Sequence, residues 1–227
     1  MRELFEKPTG QQALQAYIER IERDDFEGTA LLAGADVVRW NEAMRSHPTL
    51  KLLGGFVLDD PGTSNHHVLL TAEPLAGAVL YLNHDGDTRV VFASVEEFLE
   101  ATKKARSGEC DVEDFHPRIS PSAPDQKNLT ALIRQLLASS EDDDIAVQLI
   151  PSLDLADLDL LRELALHGNF FIAEAIAIEI AKRPSEQLGE IAALCAGHAH
   201  PQASNAGKRA LATKEQRRLE SETRLQE

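Results

Sequence analysis

The stretch Gly77–Lys104, GAVLYLNHDGDTRVVFASVEEFLEATKK, decides the fold. Its apolar run Ala78-Val79-Leu80-Tyr81-Leu82 has the length of a buried strand and is too short for an average helix. Asn83-His84-Asp85-Gly86-Asp87 interrupts the run with turn formers, and Asp-Gly is a strong hairpin signal. Arg89-Val90-Val91-Phe92, rich in β-branched and aromatic side chains, predicts the return strand. Ser94 stands three residues before Glu97, a capping box whose two side chains satisfy backbone N–H groups at a helix start. Val95, Phe98, Leu99 and Thr102 predict the face by which that helix packs back on the hairpin. The unit is a scaffold and holds no reactive constellation.

Upstream, Ala13, Leu14, Tyr17, Ile18 and Ile21 recur at spacings of three and four, which predicts an amphipathic helix from a cap-like Thr9-Gly10 to Arg23. The acidic cluster Glu22-Arg23-Asp24-Asp25 ends it, and Gly28 marks a turn. Thr29–Leu32 reads either as a short strand or as the lead-in to a second helix over Ala35–Arg45, ended by His47-Pro48. Leu50–Leu58 predicts a strand with Gly54-Gly55 as a bulge or point of close approach. Asp59-Asp60-Pro61-Gly62-Thr63-Ser64-Asn65 is a turn by composition, and His66–Thr71 returns as a strand. Two helices, about four short-looped antiparallel strands and a closing helix predict an α+β layer with one sheet face covered.

Downstream, Ser107–Asp125 carries Gly108, Pro117, Pro121, Pro124, several acids and little hydrophobic periodicity, the signature of a linker. From Gln126 the pattern is helical. Apolar faces recur over Leu129–Leu137, Ile145–Ile150 (stopped by Pro151) and Leu153–Leu166. Phe170–Lys182 is apolar on most sides, which places it centrally. Helices also begin at Pro184-Ser185 and at Pro201, running through Ala196 and Ala212. An offset of 31 residues aligns His167 with His198, Ala175 with Ala206, and Ala181 with Ala212. Stacked helix pairs of the HEAT or armadillo kind and a plain helical bundle both fit. The tail Thr213–Glu227 reads as a frayed polar helix or as disorder.

The formal charge is −15, with 43% hydrophobic and 27% charged residues, an ordinary globular composition. Acids outnumber bases 18 to 11 over residues 1–110 and 16 to 6 over 111–206, while 207–227 reverses the balance at 4 to 6. Such a surface repels nucleic-acid phosphates and steers basic partners toward it. No run approaches the roughly 20 apolar residues of a membrane span. MRELFEKPTGQQ lacks the apolar segment of a secretory signal, so a cytoplasmic protein is expected. Cys110 and Cys195 match no metal or redox spacing and are expected as free thiols.

His66-His67 with His84 and Asp85 is the best case for a metal. Adjacent strand residues face opposite ways, however, so three ligands converge only in a fortunate register, and surface histidines beside a turn are the expectation. The acidic turns Asp59-Asp60 and Asp85/Asp87, and the run Glu141-Asp142-Asp143-Asp144 before a helix, are the candidate partner-binding residues. Turn preference and favourable charge at a helix N-terminus explain them equally simply. No catalytic residue, metal site or cofactor is predicted; no phosphate loop, nucleophile elbow or zinc spacing occurs in the sequence.

Gly77–Leu82 followed by His84-Asp85, then Val95-Glu96-Glu97-Phe98-Leu99, with Leu52–Leu58 and Val68–Thr71 in the place of the preceding strands, resembles the SUKH superfamily of bacterial immunity proteins over residues Thr9–Ala105. The family's Gly/Asn-rich stretch after a Pro-initiated helix has no counterpart in Asp36–Pro48. The resemblance implies a non-enzymatic protein that binds and neutralises a cognate toxin; the acidic charge fits a basic one, covered by the acids named above and a concave helical face. The alternative is a regulatory or scaffold adaptor that binds a partner protein through its helices. The expected layout is a SUKH-like α+β domain over residues 1–106, a linker over 107–125, a HEAT-like helical domain over 126–213 and a charged tail over 214–227.

Overall fold

In the computed structural model, which describes residues 10–24, 26–139 and 142–224, the quoted stretch is a hairpin closed by a helix. Strands β3 (Val79–Leu82) and β4 (Arg89–Phe92) pair antiparallel, with a register shift between Val79 and Leu80. Helix α4 (Val95–Gly108) starts at Ser94, whose Oγ accepts from Glu97 N at 3.3 Å, while Glu97 reaches back to Ala93 N at 2.9 Å. Val95, Phe98, Leu99 and Thr102 are all buried, as their spacing predicts. β2 (His66–Leu70) pairs with β3, and β1 (Gly55–Val57) with β2, giving an antiparallel sheet of order β1-β2-β3-β4. The mixed helix and sheet content agrees with the α+β expectation.

Helix α1 (Gly10–Arg23) packs Ala13 and Tyr17 with Val95, Phe98 and Leu99 of α4 against Leu69, Val79 and Val91 of the sheet. Asp24 ties the two helices, accepting from Lys103 Nζ and Arg20 Nε at 2.9 Å each. Those cations hold its carboxyl well below the usual carboxylate range. Thr9 and Asp25, parts of the predicted start and end of this helix, lie outside the described residues. Helix α2 (Gly34–Met44) lends Asn41, whose side chain accepts from Val57 N at 2.8 Å and donates to Val57 O at 3.2 Å, so an amide stands in for a neighbouring strand along β1. Leu31 bridges Asp59, extending that edge.

Two expectations fail here. The predicted strand Leu50–Leu58 divides into helix α3 (Pro48–Leu53) and β1. Pro48, read as a stop, is the first residue of α3, where its missing N–H costs nothing. Gly54 ends the helix with φ 61°, the left-handed cap that glycine adopts freely. The sheet also lacks an open face: every residue of β2, β3 and β4 is buried. His66, on the side opposite His67, packs its ring 4.8 Å from that of Trp40 in α2.

The chain divides into two compact units, Met1–Asn128 and Leu129–Glu227. In the second, α5 (Gln126–Ser139), α6 (Asp143–Leu149), α7 (Leu158–Ala165), α8 (Phe170–Lys182), α9 (Gly189–Ala196) and α10 (Pro201–Arg224) follow one another. The α7–α8 and α9–α10 pairs recur at the 31-residue offset, and the turns repeat in detail. His167 Nδ1 accepts from Asn169 N at 3.2 Å, and His198 Nδ1 from His200 N at 3.0 Å. His198 Nε2 then lies 3.2 Å from His167 O, stacking one turn on the next. Arg134 of α5 pairs with Glu163 of α7 at 2.9 Å, and Arg162 of α7 with Glu190 of α9 at 3.2 Å, so the first helices of successive pairs are joined alike. Helix α8 packs against α6, α7, α9 and α10, the central place its apolar sequence predicts.

Inside this unit Glu179 is buried, accepting from Lys182 and Arg183 at 2.8 Å each, and Arg183 reaches on to Leu153 O and Pro151 O. The connector before α7 is thereby fastened to the end of α8. Gly207 of α10 lies so close to the Cys195–Ala196 backbone that a Cβ has no room. The tail is helical at least to Arg224: no Gly or Pro interrupts residues 208–224, and Lys214 pairs with Glu186 at 2.9 Å. The cysteines are unpaired, Cys110 exposed and Cys195 buried. Among the described residues no helix is long and apolar enough to cross a membrane.

Candidate functional site

The eight predicted acids fare differently. Asp59 is 3% exposed and turned inward, which removes it as a contact residue. Its Oδ1 accepts from His67 N at 2.7 Å, and its Oδ2 lies 2.5 Å from His67 Nδ1. The bridge to Leu31 draws its backbone into the sheet edge. Asp60 is half-buried and accepts from Gly62 N at 3.1 Å. Asp85 and Asp87 are exposed, with Asp87 Oδ2 3.3 Å from Arg89 Nε. Asn65 accepts from His84 N at 2.9 Å, so Asp60, Asp85 and Asp87 share one end of the sheet.

Glu141 lies outside the described residues. Asp142 accepts from Ser139 Oγ at 2.9 Å and Asp143 from Asn169 Nδ2 at 3.0 Å, leaving Asp144 the exposed member of that run.

The expected surface histidines are buried, His66 at 3% and His67 at 2% exposure, because both belong to a strand covered on each side. His84 is exposed. Among the described residues no three metal-ligating side chains converge.

Residues 107–125, read as a linker, are fastened to the sheet. Gly108 completes α4, and Val112–Phe115 forms a 3₁₀ turn. His67 Nε2 lies 2.9 Å from His116 Nε2, Tyr81 Oη donates to Glu113 Oε1 at 3.1 Å, and Arg89 Nη1 donates to Ser120 Oγ at 3.2 Å. Burial, the positive field of His67 and Arg89 together hold His116 down at about 3. Burial first, and the Glu113 carboxylate next, push Tyr81 up to about 12 and keep it a donor. Sequence reasoning missed this set because its members come from segments tens of residues apart. Its one signal was Tyr81 and Arg89 within apolar strands, since a buried polar group requires a partner.

The helical unit shows the opposite anomaly, apolar side chains in water. Leu166 is 65% exposed, Phe171 48% and Ile178 38%. Phe171 and Ile178 stand two turns apart on one face of α8, and Leu166 precedes the turn into it. Phe170 stacks on His200 with ring centroids 3.5 Å apart, which fixes the start of α8 beside that of α10. The Asp143–Asn169 bond sets the α6 terminus, with exposed Asp144, beside the same end of α8. No family model, curated protein or solved structure matches the chain.

Proposed function

We propose that the chain is a non-enzymatic adaptor that binds a partner protein through the outward face of α8. The observation that carries this reading is the exposure of Leu166, Phe171 and Ile178 within a helical unit whose other apolar side chains are mostly buried. Large exposed apolar side chains ringed by polar ones are the usual anchors of protein contacts. Glu174 stands between Phe171 and Ile178 on α8, and with a net charge of −15 it favours a partner carrying basic residues around an apolar centre.

A more specific second reading, immunity to a basic bacterial toxin, is favoured by Asp60, Asp85 and Asp87 at one end of the sheet and by the SUKH resemblance. In it the sheet end, not α8, occludes the toxin.

Capture of the stoichiometric partner from the native host, followed by binding measurements on variants, separates the two. Phe171→Asp with Ile178→Asp should abolish binding and leave the circular dichroism unchanged, while Asp85→Lys with Asp87→Lys leaves affinity within about twofold. The reverse pattern, with a toxin as the captured protein, replaces the adaptor reading by immunity. Unaltered binding in both variants removes both surfaces.

A further inference from the structure

His67, Tyr81 and Arg89 are direct neighbours across β2, β3 and β4. Each grips a different residue of the segment that follows α4: His116, Glu113 and Ser120 in turn. The tyrosine and arginine contacts are ordinary donor–acceptor bonds. The histidine contact is not, because two ring nitrogens 2.9 Å apart stay bonded only while one proton lies between them. His67 Nδ1 is already engaged with Asp59. With that bond in place, the two imidazoles hold at most three protons on four nitrogens. A fourth sets N–H against N–H, and two imidazolium charges then face each other among the rings of Tyr81, Phe92 and Phe98.

We propose that residues 111–120 form a proton-operated latch, closed on the His67–Tyr81–Arg89 row while the two imidazoles share one proton and released when acid loads both. The charged and titratable groups around the pair all bear on this. Asp59, from the connector after β1, sets its carboxyl against the backbone N and ring Nδ1 of His67. Arg89 of β4 opposes a positive charge on His116. Tyr81 of β3 and Glu113 of the latch bond each other. Tyr17 of α1 sits behind Asp59, its hydroxyl 2.7 Å from Leu58 O, and is held protonated by burial and by that carboxylate. Helix α4 contributes the uncharged Phe98 ring.

The direction follows from linkage. Closed, His116 is held far below its ordinary 6.5; released, it regains that value. The open form therefore binds the extra proton, and below pH 6.5 opening gains about tenfold per pH unit. Above 6.5 the latch no longer responds to pH through this group. Release bares the rings of Tyr81 and Phe92. The chain just beyond the latch also helps close a cavity of about 150 Å³ between Leu75, Val90 and Ala123, which release would open.

Hydrogen exchange of the full-length chain between pH 7.5 and 5, with each amide rate divided by its intrinsic rate, tests this. Amides 111–120 should open far more readily than those of β2 and β3, with an opening equilibrium that rises about tenfold per pH unit below 6.5. His116→Gln, which keeps a polar group and cannot titrate, should flatten that slope. Should this variant not fold, the imidazole resonances of the wild-type chain decide: in the closed form His116 stays neutral through pH 5. Exchange in 111–120 that is insensitive to pH overturns the proposal. So does a slope that survives in His116→Gln, opening of 111–120 no easier than that of β2 and β3, or a His116 that titrates near 6.5 with the segment still protected.

Discussion

The two units bury polar groups in opposite ways. In the sheet unit a row of polar side chains reaches far along the chain: His67 to His116, Tyr81 to Glu113 and Arg89 to Ser120 are separated by 49, 32 and 31 residues. In the helical unit the buried carboxylate of Glu179 takes partners three and four residues away. The histidine turns act on backbone groups two residues on. A helix brings i+3 and i+4 neighbours to its own face, so it satisfies a polar group locally. A strand presents its neighbours on opposite faces and must find partners elsewhere. Polar burial in the sheet unit therefore encodes topology, while the buried carboxylate of the helical unit is answered at the end of its own helix.

That contrast can be broken by substitution, and Glu179 gives the largest effect. Glu179→Ala strands two cations and releases Arg183 from its bridging position, so urea unfolding followed by far-ultraviolet circular dichroism should show a loss of about 3–5 kcal/mol. Trp40, the chain's one tryptophan, belongs to the sheet unit. Its fluorescence should report an unchanged midpoint if the units unfold separately, and a shifted one if they unfold together.

Acid should weaken the sheet unit next. Because His116 is held near 3 in the fold and titrates near 6.5 when free, its contribution is complete above pH 6.5 and is lost as pH falls toward 3. Between pH 7.5 and 5 this amounts to about 2 kcal/mol, read from the urea midpoint of Trp40 fluorescence. A midpoint that stays level over that range, or one equally steep in His116→Gln, removes His116 as the cause.

Tyr17→Phe should cost about 1–2 kcal/mol by the same fluorescence assay. It leaves the buried carbonyl of Leu32, which the hydroxyl meets at 2.9 Å, without that donor. An unchanged midpoint would mean that water replaces the phenol. Arg162→Ala is the smallest case. The Arg162–Glu190 pair is solvent-exposed, and exposed pairs add little, so the helical midpoint should not move measurably. A clear drop would show that the interhelical pairs act as a cooperative ladder and would sharpen the repeat reading.

Legibility in the sequence follows the same divide. The hairpin, its capped helix and the central place of α8 were readable because turn chemistry, capping and 3.6-residue periodicity are local. The error at Leu50–Leu58 was also local: Pro48 before an apolar run both ends one helix and begins another, and only Gly54 at φ 61° shows where the second one stops. The acids were read from composition, which is blind to direction. Nothing in Asp59-Asp60 tells that the first carboxylate turns into the core and the second stays near the surface.

What the sequence by itself determined is most of the elements and their helical or extended character, α3 and the 3₁₀ turn at Val112–Phe115 excepted, with the acidic charge and the 31-residue recurrence in the helical unit, all properties of neighbours within a few turns. The tertiary structure alone decided that a proline-rich stretch closes over a sheet, that His67 is a core residue, and that Phe171 and Ile178 face water. Those outcomes depend on which surfaces meet. That is settled by burying apolar area and pairing polar atoms between segments far apart in the chain, and no local pattern records it.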